Sequence, residues 1–183
     1  GFAYENAGHV FFDHSKLLNF GHLLRKNVDE IRNLEKTDTM PDEPDELKKD
    51  KLDFLLWQPE IFKEASFDSP WSLGRPGWHI ECSTMVNEIL GEQVTIHGGG
   101  YDLIFPHHEC EVAQSESLTD SKPYCQNWMH VNALSINGEK MSKSLGNLIR
   151  VSDLLQKDID GNTIRMYLLS HHYRAGVDYN ENA

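Results

Sequence analysis

From Ser66 onward the sequence switches repeatedly between a helical and a strand-like rhythm, and that alternation limits the fold more than any other feature. "SPWSLGRPGWHIECSTMVNEILG" opens with a Pro- and Gly-rich loop, then sets Ile80, Met85, Val86, Ile89 and Leu90 at helical spacing. "QVTIHGGG" reads as a short strand ending in glycines. "PHHECEVAQSESL" reads as a helix begun by Pro106, a residue suited to a first turn. "WMHVNALSI" alternates as a strand and runs directly into "INGEKMSKSLGN"; "VSDLLQ" and "GNTIRMYLLSHHY" follow as two further helices. Helix, strand, helix, strand, loop, helix is the order of half an open α/β sheet, with chemistry expected at the carboxyl ends of the strands. Both glycine-bearing pieces follow strands, so both are expected on that rim.

Before Ser66 the texture differs. "FAYENAGHVFFD" has the pattern of a β-hairpin, two aromatic-containing runs separated by Asn6 and a glycine. "SKLLNFGHLLRKNVDEIRNLEK" predicts short helices interrupted near Gly21. "TDTMPDEPDELKKDKLD" mixes proline with dense charge of both signs and marks a surface connection. "FLLWQPE", Phe54 to Glu60, is expected as a buried edge strand before a proline.

A chain of 183 residues supports one domain with a proper core, or part of a larger one. No apolar run approaches membrane-spanning length, and the first residues lack a signal-peptide layout. Cys82, Cys110 and Cys125 are an odd set, which points to reduced thiols, free or on a metal, in a cytosolic setting. The formal net charge of −12 excludes a general nucleic-acid coat. Any such contact needs a local basic patch.

Three constellations carry chemistry. Lys140 and Lys143, three apart and each followed closely by a hydroxyl, sit in a stretch whose Gly138 and Gly146 disfavour a helix. A mobile loop closing its ammonium groups over phosphates is one reading; a solvated turn is the other. His107 and Glu111, four apart, share a helical face and can point at one ion, with Cys82 from the preceding helix as a third donor. Cys110 lies near the same face and competes with Glu111 in that set; the ligand count stays open. "HGGGYDL" lets a ligand approach the backbone and offers Asp102 to a ribose. An esterase oxyanion loop is the rival reading, but no Gly-x-Ser-x-Gly turn occurs, and no Walker-type loop supports a kinase or GTPase.

Taken together, "GRPGWHIECS", "HGGGYDLIFPHHE" and "GEKMSKSLGN", in that order, resemble the class I aminoacyl-tRNA synthetases, and within them the cysteinyl-tRNA synthetases. The resemblance covers essentially the whole chain, more loosely over the first sixty or so residues. It implies a Rossmann-like α/β fold: residues 1–62 as part of a connective insertion, 63–150 as the second half of the nucleotide-binding domain, and 151–183 as the start of a helical region. It implies activation of cysteine to cysteinyl-adenylate with ATP and Mg, then transfer to tRNA(Cys), in a cytoplasmic monomer. Lys140 and Lys143 would act on the migrating phosphate charge, with Gly99, Gly100, Asp102 and Lys143 binding ATP. Trp78 and His97 would border the amino-acid pocket, and Cys82, His107 and Glu111 would hold zinc, with a further ligand expected from an upstream cysteine.

Departures from the pattern accompany it. No His-x-Gly-His tetrapeptide occurs, no cysteine precedes Cys82, and no anticodon-binding segment follows. The expectation is therefore an internal portion of the catalytic core, inactive alone. A cysteine ligase acting on a small amine, and a non-catalytic zinc or nucleotide module, are the competing readings.

Overall fold

The computed structural model describes residues 1–34, 42–60, 66–119, 121–142 and 145–180. They form two compact units of mixed α/β content, Gly1–His97 with Leu103–Trp128, and Gly98–Asp102 with Met129–Ala183. Among the described residues no helix is long and apolar enough to cross a membrane.

In the first unit, β1 (Ala3–Asn6) and β2 (His9–Phe12) form the expected hairpin. Its turn residues Ala7 and Gly8 both have positive φ, 51° and 79°, the conformation that follows the twist of paired strands. β3 (Phe54–Pro59) pairs with β2 on one side and with β4 (Gly74–Pro76) on the other, all antiparallel. "FLLWQP" is thus an interior strand and not an edge. Its proline is tolerated because it lies at the strand's last position. Phe12, Phe20, Ile31, Phe54, Cys110 and Ala113 make the apolar core beneath this sheet.

The leucine-rich stretch after the hairpin is less helical than its spacing suggests. Its described residues hold one 3-10 turn, His14–Lys16, and one short helix, α1 (Val28–Arg32), opened by a reciprocal capping box between Asn27 and Glu30. Between them Gly21 takes φ 96°, and its backbone passes so close to Ile31 and to the Lys26 carbonyl that a Cβ has no room. The buried Glu109 carboxylate fixes this bend by accepting from the N–H groups of Gly21, Leu23 and Leu24 at 2.8, 2.9 and 3.1 Å. Residues 35–41, the end of this stretch and the start of the charged connection, lie outside the described residues; the described part of the connection carries a 3-10 turn at Asp45–Leu47.

α2 (Trp78–Leu90) begins where Gly77 touches β3: a Cβ on Gly77 would stand 2.1 Å from the Leu55 carbonyl oxygen. The helix buries His79 and Ser83, while Met85, Ile89 and Leu90 of the apolar spacing are exposed. α3 (Glu109–Leu118) is buried from Glu109 to Ser115 despite its polar sequence, so its polar groups need partners inside. Gln114 donates to Ser83 Oγ at 3.2 Å, and Glu116 accepts from Tyr124 N–H at 3.0 Å. Helical winding starts near Pro106, after Phe105 in extended conformation and a cis Phe105–Pro106 bond.

β5 (Val94–Gly100) and β6 (Cys125–Val131) pair with each other. Asn132 ends β6, which the alternation carried through to Ile136: its N–H donates to the Tyr173 carbonyl and its side chain to the Arg174 carbonyl. In the second unit β7 (Leu134–Ile136) lies between β8 (Glu139–Lys140) and β9 (Val177–Tyr179), antiparallel to the first and parallel to the second. α4 (Val151–Gln156) and α5 (Gly161–Leu169) are the two expected helices.

Candidate functional site

Within the first unit, the start of α2, strand β5 and the turn leading into α3 bring five predicted residues together: Trp78 and Cys82, His97, and His107 with Glu111. Glu111 has no exposed surface. Its Oε2 lies 3.2 Å from His97 Nε2 and its Oε1 3.4 Å from His107 Nε2. Neither contact has hydrogen-bond geometry, so among the described residues both carboxylate oxygens are buried without a hydrogen-bond partner. The donor atoms of Cys82, His107 and Glu111 all lie within 4.8 Å of one another, and those of His97, His108 and Glu111 do so too. Burial, and then the neighbouring Glu111, push the Cys82 thiol up. A metal ion arriving there would displace that proton.

Aromatic rings close around the carboxylate. Trp78 stacks on His107 at 4.5 Å, and Trp128 lies 4.7 Å from His97 and 5.0 Å from His108. His79, 1 % exposed, places its Nδ1 3.0 Å from Nδ1 of His107. Burial, and then the facing His107, push its pKa down to about 3, so it is neutral. His79, His108 and Trp128 are absent from the sequence-based set. The available signal was position: His79 sits one turn before Cys82, so helical periodicity places both on one face.

Cys110 does not join them. It packs in the apolar core between Phe54 and Ala113, where burial raises its thiol well above the ordinary value. One residue's rotation along a helix, about 100°, takes a side chain from the ligand face to the core face.

The second unit holds the nucleotide candidates. Gly99 is half-buried at the end of β5, and Asp102 is exposed in the 3-10 turn Tyr101–Leu103. A Cβ on Gly100 would meet the Asp102 Oδ1 at 2.4 Å, so the carboxylate folds back over the glycine. The lysine stretch is more structured than a loop. Asn137 and Gly138, at φ 52° and 79°, turn β7 into β8 and put the exposed Lys140 at the end of a strand. Asp178 holds this turn, accepting from Ser135 Oγ at 2.6 Å and Gly138 N–H at 2.7 Å. The Ser135 bond, and then the Gly138 bond, keep its carboxyl below the usual range. Further along, Asn147 accepts from Ser142 N–H at 2.8 Å and donates to the Lys140 carbonyl at 3.1 Å, closing the stretch on itself. Lys143 lies outside the described residues.

Comparison with known proteins places these features in a family. The model described as tRNA synthetases class I (C) catalytic domain matches residues 1–183. A protein named Cysteine--tRNA ligase from Rickettsia rickettsii (strain Sheila Smith) is 48% identical over 184 residues, covering 99% of this chain and 39% of that protein. One of the same name from Streptococcus equi subsp. zooepidemicus (strain MGCS10565) is 48% identical over 185 residues, covering 100% of this chain and 40% of that protein. The chain thus spans about two fifths of the length of these relatives.

Proposed function

This chain belongs to the class I tRNA synthetase family, as a catalytic domain of its C group, and from that premise we propose that it serves a cysteine--tRNA ligase by selecting cysteine and activating it with ATP. The observation that carries the reading is Glu111, fully buried beside Cys82 and His107 with neither oxygen hydrogen-bonded among the described residues. A buried carboxylate costs several kcal/mol, on the order of the effective desolvation penalty, unless a cation meets it.

The donor set fits zinc, for which thiolate, imidazole and carboxylate are the usual ligands. Cys82, His107 and Glu111 would hold the ion. An ion held there would supply a soft site that favours a substrate thiolate over an alcohol, which would separate cysteine from serine where pocket shape alone separates them little. Trp78 and His97 border the amino-acid pocket, the first offering its face and the second its polar edge.

In the activation step the cysteine carboxylate attacks the α-phosphorus; the new carboxyl–phosphate bond forms as the bond to pyrophosphate breaks. Lys140 and Lys143 stabilise the charge moving onto the phosphates, ATP entering with Mg. Gly99 and Gly100 allow close approach of the nucleotide, and Asp102 accepts from the ribose hydroxyls. Residues 63–150 supply the second half of a Rossmann-like fold, 1–62 part of its insertion and 151–183 the following helices, in a cytoplasmic monomer that charges tRNA(Cys).

Calorimetric titration of the zinc-loaded chain tests the selection. Cysteine is expected to bind about 10²-fold or more tighter than serine. Equal binding of the two would overturn the reading.

A further inference from the structure

His79 is a fully buried imidazole to which nothing above assigns a task. It meets His107 through Nδ1 facing Nδ1 at 3.0 Å, a separation at which one proton fits between the rings and two do not. Its ring is fixed from two sides, edge-on to Phe54 at 5.7 Å and tilted against Trp78 at 5.2 Å. With 1 % exposure it has no bulk water to exchange partners with.

The position of the shared proton decides what His107 presents to its other side. If His79 donated it, neutral His107 would carry its own proton on Nε2 and aim an N–H at Glu111. Yet the 3.4 Å approach of His107 Nε2 to Glu111 Oε1 lacks hydrogen-bond geometry, and that oxygen is without a partner among the described residues. The opposite arrangement keeps the 3.0 Å bond and agrees with the missing hydrogen bond to Glu111. His107 Nδ1–H donates to the His79 Nδ1 lone pair, and His107 Nε2 keeps a bare lone pair beside Cys82 and Glu111.

We propose that His79 is a positioning residue: by accepting from His107 Nδ1 it fixes the tautomer and ring orientation that make His107 Nε2 a metal donor. The inference rests on the zinc reading above for its purpose, although the tautomer itself does not require the metal. Partners of this kind typically change metal affinity by about 10–100-fold. Asparagine at the same place retains an acceptor, because its Oδ1 stands near the position of Nδ1. Phenylalanine fills the volume and removes the acceptor.

Two measurements on the full 183-residue chain test this. Long-range ¹H–¹⁵N spectra of the histidine rings, with metal removed, are expected to show His107 protonated on Nδ1 and bare on Nε2. Competition titration against a chromophoric chelator is expected to show His79→Phe binding zinc about 10–100-fold more weakly than the unaltered chain. His79→Asn should recover most of the loss. A His107 ring protonated on Nε2 in the unaltered chain overturns the proposal, whether or not His79→Phe folds. So does unchanged zinc affinity in a folded His79→Phe. If the unaltered chain shows the expected tautomer but takes up no zinc, the positioning contact is upheld and the zinc reading fails.

Discussion

Glu111 and Asp178 are both carboxylates at the heart of a candidate site, and they are held in opposite ways. Glu111 is wholly buried among histidines, with neither oxygen hydrogen-bonded among the described residues; Asp178 stands in solvent and accepts from Ser135 and Gly138. On the zinc reading proposed above the first carboxylate would meet a cation, and the helices packed around it keep its neighbours in place. The second is already occupied, shaping a hairpin that presents Lys140. Selection of a small substrate needs rigid donors whose geometry does not drift. Stabilising charge that moves during a reaction suits exposed lysines on a short turn.

The sharpest way to break this division is to cross the two regions. Cys82→Ser is expected to lose most bound zinc, because thiolate is the softest donor in the set, while leaving ATP binding unchanged. In a ligase carrying this sequence, Lys143→Ala is expected to slow adenylate formation by about 10²–10³, the scale for one preorganised donor, with zinc content and the KM for cysteine unmoved. Metal analysis and single-turnover kinetics on both variants check the pattern. Loss of zinc in the lysine variant would show that the regions are not separate.

Gly77→Ala comes next in size. Its Cβ would stand 2.1 Å from the Leu55 carbonyl oxygen, a backbone atom that cannot step aside. A loss of about 1–3 kcal/mol is expected from forced backbone movement, read as a lower Tm with weakened zinc binding, since α2 carries Cys82.

Acid should separate the regions without mutation. With a chelator present, the unfolded chain protonates His79 near the ordinary 6.5, whereas the folded chain resists until about 3. Between those values the unfolded state binds more protons, so stability falls as pH drops, by on the order of 2 kcal/mol at pH 5. Asp178 responds in the same direction but at lower pH. Its depressed pKa contributes stability above the ordinary 3.8, and that contribution is lost only as pH falls below it. Acid titration followed by NMR is therefore expected to disturb the histidine centre first and the hairpin later.

The smallest effect belongs to Asn147→Ala. It removes two hydrogen bonds that close the lysine stretch, about 1 kcal/mol in all. Faster amide exchange at Ser142, with unchanged zinc binding, is the expected signature.

How much of this was legible beforehand depends on whether the cause is local. The first hairpin and the grouping of His107 with Glu111 follow from short spacings and were readable. Asn137-Gly138 was equally local, a strong turn signal, but the lysines beside it suggested a loop. The contact of His79 with His107, 28 positions apart, and the pairing of β3 on both sides depend on tertiary packing, which residue spacing does not encode. In α2 the helical spacing of Met85, Ile89 and Leu90 was readable but not their exposure, since the face the helix buries holds His79 and Ser83. The role of Cys110 turned on which side of a buried helix it occupies, and its sequence neighbours did not distinguish the two.

The most direct test of the central claim, that Cys82, His107 and Glu111 form a thiol-selecting metal centre, is optical. Cobalt replaces zinc in the chain, and the thiolate charge-transfer band is followed as amino acid is added. The account predicts a band that is absent in Cys82→Ser, strengthens when cysteine adds a second sulfur, and does not respond to serine. A cobalt-loaded chain with no thiolate band, or one that responds alike to cysteine and serine, would contradict it.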